Sequence, residues 1–350
     1  MSKTVSVKGV KKPYDIIIGN EIFDIIPQKI WELTKAKTTV IITDDNVDKF
    51  YGEKVSKILE NSGFRVLKFV FPHGEDHKSI KTFSEILEFM AENNVTRSDL
   101  IIALGGGITG DISGFCAASY LRGIDFFQVP TTFLAAIDSS VGGKTGVNLS
   151  SGKNLAGAFY QPRSVICDTS TFKTLPEENF KEGVAEAIKY GAICDTDLFQ
   201  KISDNKDFNI EEVIERCVTI KAEIVAEDEF DNGKRQLLNF GHTIAHAIEK
   251  VSSYKISHGI AVGIGMAMIS KISERLGWSE ENTFEKIAKC LESNNLPTQY
   301  NLNTEEILPA ILKDKKRDGD TINLVIPKKI GNCVLKKVNV SDLEGVLKWM

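Results

Sequence analysis

No stretch of the sequence approaches the run of about 18 apolar residues that a membrane-spanning helix needs. The opening MSKTVSVKGVKKPYDIIIGN lacks the apolar core of an export signal, so a cytoplasmic protein is expected. A basic excess is also missing: 43 Lys and Arg stand against 48 Asp and Glu, a net charge of -5. That balance argues against nucleic-acid or membrane-surface partners and favours a small-molecule ligand. The six cysteines, at 116, 167, 194, 217, 290 and 333, contain no C-x-x-C pair, which suits reduced thiols better than disulfides or a zinc ribbon. Histidine is scarce, with five in the chain, yet three of them fall between Arg235 and His258. What is present, 42% hydrophobic and 26% charged residues over 350 positions, describes a globular chain with room for two cores.

In the first half, β-branched runs alternate with amphipathic stretches: SVKGV, YDIIIG, TTVIIT, a helical segment to about Asn61, FRVLKFVF, a helix over 79–93, and DLIIALGGG. Such alternation predicts a parallel sheet covered on both faces, with ligands at the carboxyl ends of its strands. Gly105, Gly107 and Gly110 fit G-x-G-x-x-G between a strand and a helix, where bare amides approach a pyrophosphate; a tight turn without a ligand has the same pattern. Asp125 begins the following strand rather than ending it, so the ordinary Rossmann acidic partner is missing there. TTVIIT instead runs into Asp44, which can accept from a ribose hydroxyl and select NAD over NADP, or can cap a helix.

From Val129 to Tyr160 the chain is rich in Gly, Ser, Thr, Asp and Lys, and reads as a long functional loop suited to anions through Lys144 and Lys153. Its GGKT is not a Walker A loop, because Asp138 stands where the first glycine belongs. After LPEEN the texture becomes helical, placing a domain boundary near Pro176 and leaving an α/β half and a mostly helical half. Glu186 and Lys189 share a helix face there; taken alone they are an exposed ion pair. His242 and His246, four apart, share another face, and by spacing alone they are either the metal-binding pair or ordinary helix-face histidines.

Taken together, GEDHKS, GGGITGD, SYLRG, PTTFLAAIDSSVGGKTGVN, GKNLAGAFYQP, GVAEAIKYG, RQLLNFGHTIAHAIE, SHGIAVGIGM and DKK resemble, in order from about residue 44 to 316, the 3-dehydroquinate synthases of the shikimate pathway. The resemblance implies a dehydroquinate synthase-like fold: an α/β Rossmann-like parallel-sheet domain over 1–176 that binds NAD, and a mostly α-helical domain over 177–350 that binds metal and substrate. It implies conversion of 3-deoxy-D-arabino-heptulosonate 7-phosphate to 3-dehydroquinate and phosphate, by transient oxidation, phosphate elimination, re-reduction, ring opening and aldol closure. Catalytic NAD, one zinc or cobalt ion and a homodimer go with it.

On the same resemblance the metal ligands are Glu186, His242 and His258, and His246 becomes a substrate contact. Catalytic roles fall on Lys189, Asp231, Arg235 and His246. Substrate contacts fall on Arg122, Asp138, Lys144, Asn154, Lys189, Lys221, Arg235, Asn239, His246 and one of Lys315 and Lys316. Cofactor contacts fall on Asp44, Asn46, Glu75, Lys78, Gly105, Gly106, Gly107, Asp111, Thr131, Thr132, Lys153, Thr171 and Thr174. Three positions depart from the family pattern. Asp231 replaces a glutamate, Ile260 replaces the carboxylate of H-G-E-A-V, and Glu182 stands where small or amide residues are common. Other sugar-phosphate cyclases, glycerol-dehydrogenase-like metal alcohol dehydrogenases and a non-catalytic NAD-binding protein are the competing readings; the intact DSSVGGKTGVN and DKK favour dehydroquinate synthase.

Overall fold

Continuous apolar runs such as VIIT and LIIAL can be strands only where both faces of a sheet are covered, and the chain folds accordingly. The computed structural model describes residues 2–204, 209–301, 304–312, 317–318 and 320–349. Two compact units emerge, Met1–Pro176 with Lys221–Phe230, and Glu177–Ile220 with Asp231–Met350.

In the first unit the strands are β1 (Lys3–Val7), β2 (Tyr14–Gly19), β3 (Thr38–Asp44), β4 (Arg65–Phe71), β5 (Leu100–Gly105), β6 (Asp125–Pro130), β7 (Lys144–Leu149), β8 (Gly152–Phe159) and β9 (Ser164–Asp168). Seven of them make one sheet in the order β1-β2-β9-β6-β5-β3-β4, parallel throughout except for β1, which pairs antiparallel with β2. The helices are α1 (Ile26–Leu33), the single turn α2 (Asp45–Val47), α3 (Glu53–Asn61), α4 (Ile80–Glu92) and α5 (Gly107–Ser119). Alternation along β3 and β5 divides the core between the two faces. Ile41, Leu100, Ile102 and Leu104 pack with Ile26, Ile30, Val55 and Leu59, while Val40, Ile42 and Ile101 pack with Ile86, Met90, Ile112 and Cys116.

The long loop expected over 129–160 is largely ordered: β7 and β8 form an antiparallel hairpin. Its glycines hid the strand signal because close packing requires them. A Cβ on Gly157 would lie 2.1 Å from the Thr145 carbonyl oxygen, and one on Gly114 of α5 would lie 2.4 Å from Thr145 Cγ2.

The boundary near Pro176 also needs one correction, since residues 221–230 belong to the first unit and not to the second. Their side chains explain it. Lys221 pairs with Asp138, Gln161 donates to Glu229 at 2.9 Å, and the Phe230 ring packs edge-on against Phe159.

The second unit contains α6 (Glu177–Cys194), α7 (Thr196–Ser203), most of α8 (Ile210–Glu227), α9 (His242–Val251), α10 (His258–Arg275), α11 (Thr283–Ser293) and α12 (Thr304–Leu312), with an antiparallel sheet of β10 (Arg317–Asp318), β11 (Thr321–Lys329) and β12 (Asn332–Asn339). Residues 183–193 of α6 are buried without interruption, so the helix lies inside the unit rather than on its surface. Helix α10 is similarly buried and approaches the start of α9 closely: a Cβ on Gly265 would sit 2.1 Å from the Gly241 carbonyl oxygen. No helix among the described residues is long and apolar enough to cross a membrane.

Candidate active site

Helices α6, α9 and α10 bring one side chain each to a common point. His242 is the first residue of α9 and His258 the first of α10, so both imidazoles leave from helix amino ends, where the backbone dipole disfavours a cation. Glu186, projecting from the buried run of α6 and 1% exposed, offsets that. Its Oε1 lies 3.5 Å from His242 Nε2 and 3.5 Å from His258 Nε2. Its Oε2 pairs with the ammonium of Lys189, also 1% exposed, so the pair expected on an exposed face is a buried one.

The outer nitrogens of both imidazoles are held as well. His242 Nδ1 lies 3.1 Å from the Phe240 carbonyl oxygen and His258 Nδ1 lies 3.5 Å from Glu249 Oε2. With Nδ1 occupied by an acceptor, each ring presents Nε2 inward, the arrangement that orients metal-ligating histidines. Burial opposes charging His258, but the carboxylates of Glu186 and Glu249 outweigh it and push its pKa up to about 10. Two imidazole nitrogens and a carboxylate oxygen, lying within 4.8 Å of one another, fit a three-ligand catalytic metal site. The His258 side chain is 37% exposed, leaving that side of the site open.

His246 lies near this centre, its ring centroid 5.7 Å from His242 and 6.2 Å from His258. A second grouping of possible ligand atoms joins His246, Glu249 and His258. Spacing alone leaves His242 and His246 as a metal-binding pair or as ordinary helix-face histidines, whereas the Glu186 carboxylate lies between His242 and His258. Arg235, 2% exposed, and the half-buried Asn239 lie on the single-turn helix Lys234–Asn239, and Asp231 just precedes it with a left-handed φ of 61°. Lys315 and Lys316 lie outside the described residues.

The first unit gathers a different group. Lys78, 5% exposed, donates to Asp111 Oδ2 and to Asn154 Oδ1, both at 2.6 Å. Burial raises the Asp111 carboxyl above its ordinary range despite that ammonium. Glu75 Oε1 accepts from Asn148 Nδ2 at 2.7 Å, and Asn148 Oδ1 accepts from the Asn154 amide at 2.9 Å. Gly105, Gly106 and Gly107 carry the end of β5 into α5; the Thr131 amide donates to the Gly105 carbonyl at 3.0 Å, and a Cβ on Gly106 would lie 3.1 Å from Thr132 Cγ2. Asp44 caps α2, its Oδ1 accepting from the Asn46 and Val47 amides at 3.0 Å each, while Thr109 reaches Oδ2 at 3.4 Å. Thr171 and Thr174 are tied together by Tyr51, whose hydroxyl lies 3.1 Å from the Thr171 carbonyl oxygen and 2.6 Å from Thr174 Oγ1. Lys221 pairs with the Asp138 carboxylate and donates to its carbonyl at 2.7 Å. Lys153 is half-buried, and Arg122 and Lys144 are exposed.

Sequence reasoning missed Glu249, Asn148 and Tyr51. Glu249 had a signal, since it follows His246 by three and His242 by seven on one helix; the other two reach their partners only through the tertiary fold.

Residues 68–182 match the 3-dehydroquinate synthase N-terminal family and residues 183–317 its C-terminal counterpart. The chain belongs to the 3-dehydroquinate synthase family. A 3-dehydroquinate synthase of Clostridium acetobutylicum is 47% identical over 99% of both chains, and one of Streptococcus mutans is 42% identical over 98% of this chain and 99% of its own. Among solved structures, a 2-deoxy-scyllo-inosose synthase complexed with carbaglucose-6-phosphate, NAD+ and Co2+ superposes with a TM-score of 0.88 at 26% identity, covering 99% of this chain and 100% of that one. A glycerol dehydrogenase of Schizosaccharomyces pombe, at 18% identity and a TM-score of 0.65 over 95% and 87% of the two chains, shares the fold alone. Membership of the family thus rests on sequence along the whole chain, and the α/β-plus-helical architecture is common to a wider group.

Proposed function

We propose that the chain converts 3-deoxy-D-arabino-heptulosonate 7-phosphate into 3-dehydroquinate and phosphate, with NAD and one zinc or cobalt ion. The observation that carries this is the convergence of Glu186 Oε1 on the Nε2 atoms of His242 and His258 at 3.5 Å each, in a member of this family. When bound, the metal and NAD supply polarisation of a substrate hydroxyl and reversible oxidation of the carbon that bears it.

The chain's own residues do the rest. Glu186, His242 and His258 hold the ion, and Lys189 pairs with the Glu186 carboxylate while presenting positive charge to substrate oxygens. Arg122, Lys144, Lys221 and Arg235 recognise the carboxylate and phosphate, with Asp138, Asn154, Asn239 and His246 fixing hydroxyls. Asp231, on the loop before Arg235, takes the acid/base role that the resemblance implies. Glycine amides at 105–107 with Lys78 and Lys153 address the cofactor's pyrophosphate; Asp44, Asn46 and Glu75 take its ribose hydroxyls. Asp111, Thr131, Thr132, Thr171 and Thr174 complete that lining. A homodimer acting in the reducing cytoplasm completes the reading, with sedimentation velocity as the check on assembly.

The test is release of inorganic phosphate from the heptulosonate 7-phosphate by protein loaded with metal and NAD; no release would overturn the assignment. His246→Ala should keep near-normal metal content yet slow phosphate release by about 100-fold, the scale of a lost acid/base or hydrogen-bonding partner. Metal loss matching that of His242→Ala would reassign His246 as a ligand.

A further inference from the structure

Helix α10 begins with His258 but does little to secure its own amino end. Its N-cap residue, Ser257, makes no side-chain cap bond to the helix, and its first turn carries no acidic residue. Exposed amide donors and the positive end of the backbone dipole would leave the first turn prone to fraying. A displaced first turn would carry the His258 ring away from Glu186.

The missing carboxylate comes from another helix. Glu182, in the second turn of α6, accepts from the Gly259 amide through Oε2 at 3.3 Å. Asn179 Nδ2 reaches its Oε1 at 3.4 Å. Glu182 is therefore bonded to the backbone of the residue that follows His258. The contact depends on the backbone at Gly259, where a Cβ would lie 2.4 Å from the Glu182 Cα. Four residues along the same helix, one turn on, stands Glu186, whose Oε1 faces the His258 ring at 3.5 Å. One helix thus supplies both a group that faces His258 and a group that fixes the backbone from which His258 springs.

We infer that Glu182 is a positioning residue of the metal centre, holding His258 in register with Glu186 through the backbone amide that follows it. Two further contacts have different jobs: Glu249 orients the ring through Nδ1, and Lys189 neutralises the far oxygen of Glu186. The hydrogen bond that Glu182 makes here is to the Gly259 amide, so its positioning effect passes through the helix end.

This inference rests on the metal-site reading above, and its test separates the two. Affinity for Zn2+ is measured by competition with a chromophoric chelator, and the visible absorption of the Co2+ form is recorded, in wild-type protein and in Glu182→Ala, Glu182→Gln and Ser257→Ala. If wild-type protein binds neither ion, the metal-site reading fails and takes this inference with it. With binding established, Glu182→Ala should weaken Zn2+ affinity by at least tenfold and alter the Co2+ spectrum, as loss of an outer partner typically does. Glu182→Gln, which retains an oxygen acceptor for the Gly259 amide, should stay within about threefold of wild type, and Ser257→Ala, which leaves the Glu182–Gly259 bond in place, should keep wild-type affinity. Wild-type affinity and spectrum in Glu182→Ala would overturn the inference, whatever happened to thermal stability. A loss in Glu182→Gln equal to that in Glu182→Ala would overturn it too, since charge rather than the bond to the helix end would then be responsible. Should Glu182→Ala fail to fold, Glu182→Asp, one methylene shorter and so drawn back from the Gly259 amide, replaces it: a several-fold loss of Zn2+ affinity supports the inference and wild-type affinity overturns it.

Discussion

In the second unit three side chains from three different helices aim their lone pairs at one point, and their outer atoms are tied down by Lys189, Glu249 and a backbone carbonyl. The polar residues of the first unit are instead bonded to each other: Lys78 to Asp111 and Asn154, Asn154 to Asn148, and Asn148 to Glu75. The difference follows from what each is proposed to bind. A metal ion needs a few donors fixed to within a fraction of an ångström, which rigid helices provide and loops do not. A dinucleotide presents many weak polar points, and a network of amides, hydroxyls and one buried ammonium can exchange its internal bonds for bonds to the ligand at little net cost.

Each site is composed of residues from its own unit, so damage to one should leave the other's ligand bound. The largest effect is expected at Glu186. Glu186→Gln removes the anionic donor and should reduce metal stoichiometry to near zero and turnover by more than about 100-fold, beyond the range for outer partners, while NAD binding by fluorescence titration stays near wild type. Metal retained at full stoichiometry would show that the centre is not built on Glu186. Next comes Lys78→Met, the reciprocal case. It leaves the half-buried Asp111 carboxylate without its ammonium partner, so stability in denaturant titrations should fall by about 2 kcal/mol at neutral pH and NAD affinity by about tenfold, with metal stoichiometry unchanged. If metal were lost along with NAD affinity, the separation of the two sites would be wrong.

The sheet was legible because its strands are continuous apolar runs, and the end of β3 at Asp44 and the start of β6 at Asp125 fall where those runs change character. The β7–β8 hairpin was not, because residues chosen for close approach, Gly146 and Gly157, carry no strand signal. Residues 221–230 were likewise placed by partners remote in sequence, Asp138 among them, which a local change in texture cannot reveal. At the proposed metal centre the resemblance to a family named Glu186, His242 and His258, whereas helical spacing alone leaves His242 and His246 as either a metal-binding pair or ordinary helix-face histidines and Glu186–Lys189 as an exposed pair. Spacing locates faces, but the burial of α6 and the meeting of two helix amino ends are tertiary facts. Glu182 entered the sequence reading only as added charge, and its bond to the Gly259 amide is what gives it a role.

The smallest effect is expected at an ion pair that belongs to neither site and shows what a merely structural pair contributes. Asp195 caps α7 through the Leu198 amide at 3.0 Å and accepts from Arg216 Nε at 2.9 Å. Burial favours its neutral form, but the Arg216 guanidinium and the Leu198 amide outweigh that and hold the carboxyl below its usual range. A folded-state pKa below the unfolded one means that the stabilisation is complete above the unfolded value of about 3.9 and is lost as pH falls through the folded value. Asparagine keeps the capping oxygen and removes the charge, so Asp195→Asn should cost about 1 kcal/mol at neutral pH. Urea unfolding at a series of pH values should show the wild-type and variant stabilities converging below about pH 4. A gap that stayed constant into acid would assign the cost to packing instead of charge. Metal and NAD binding should be untouched throughout; a change in either would mean that the α7 ion pair communicates with a site, and the contrast between site pairs and structural pairs would have to be withdrawn.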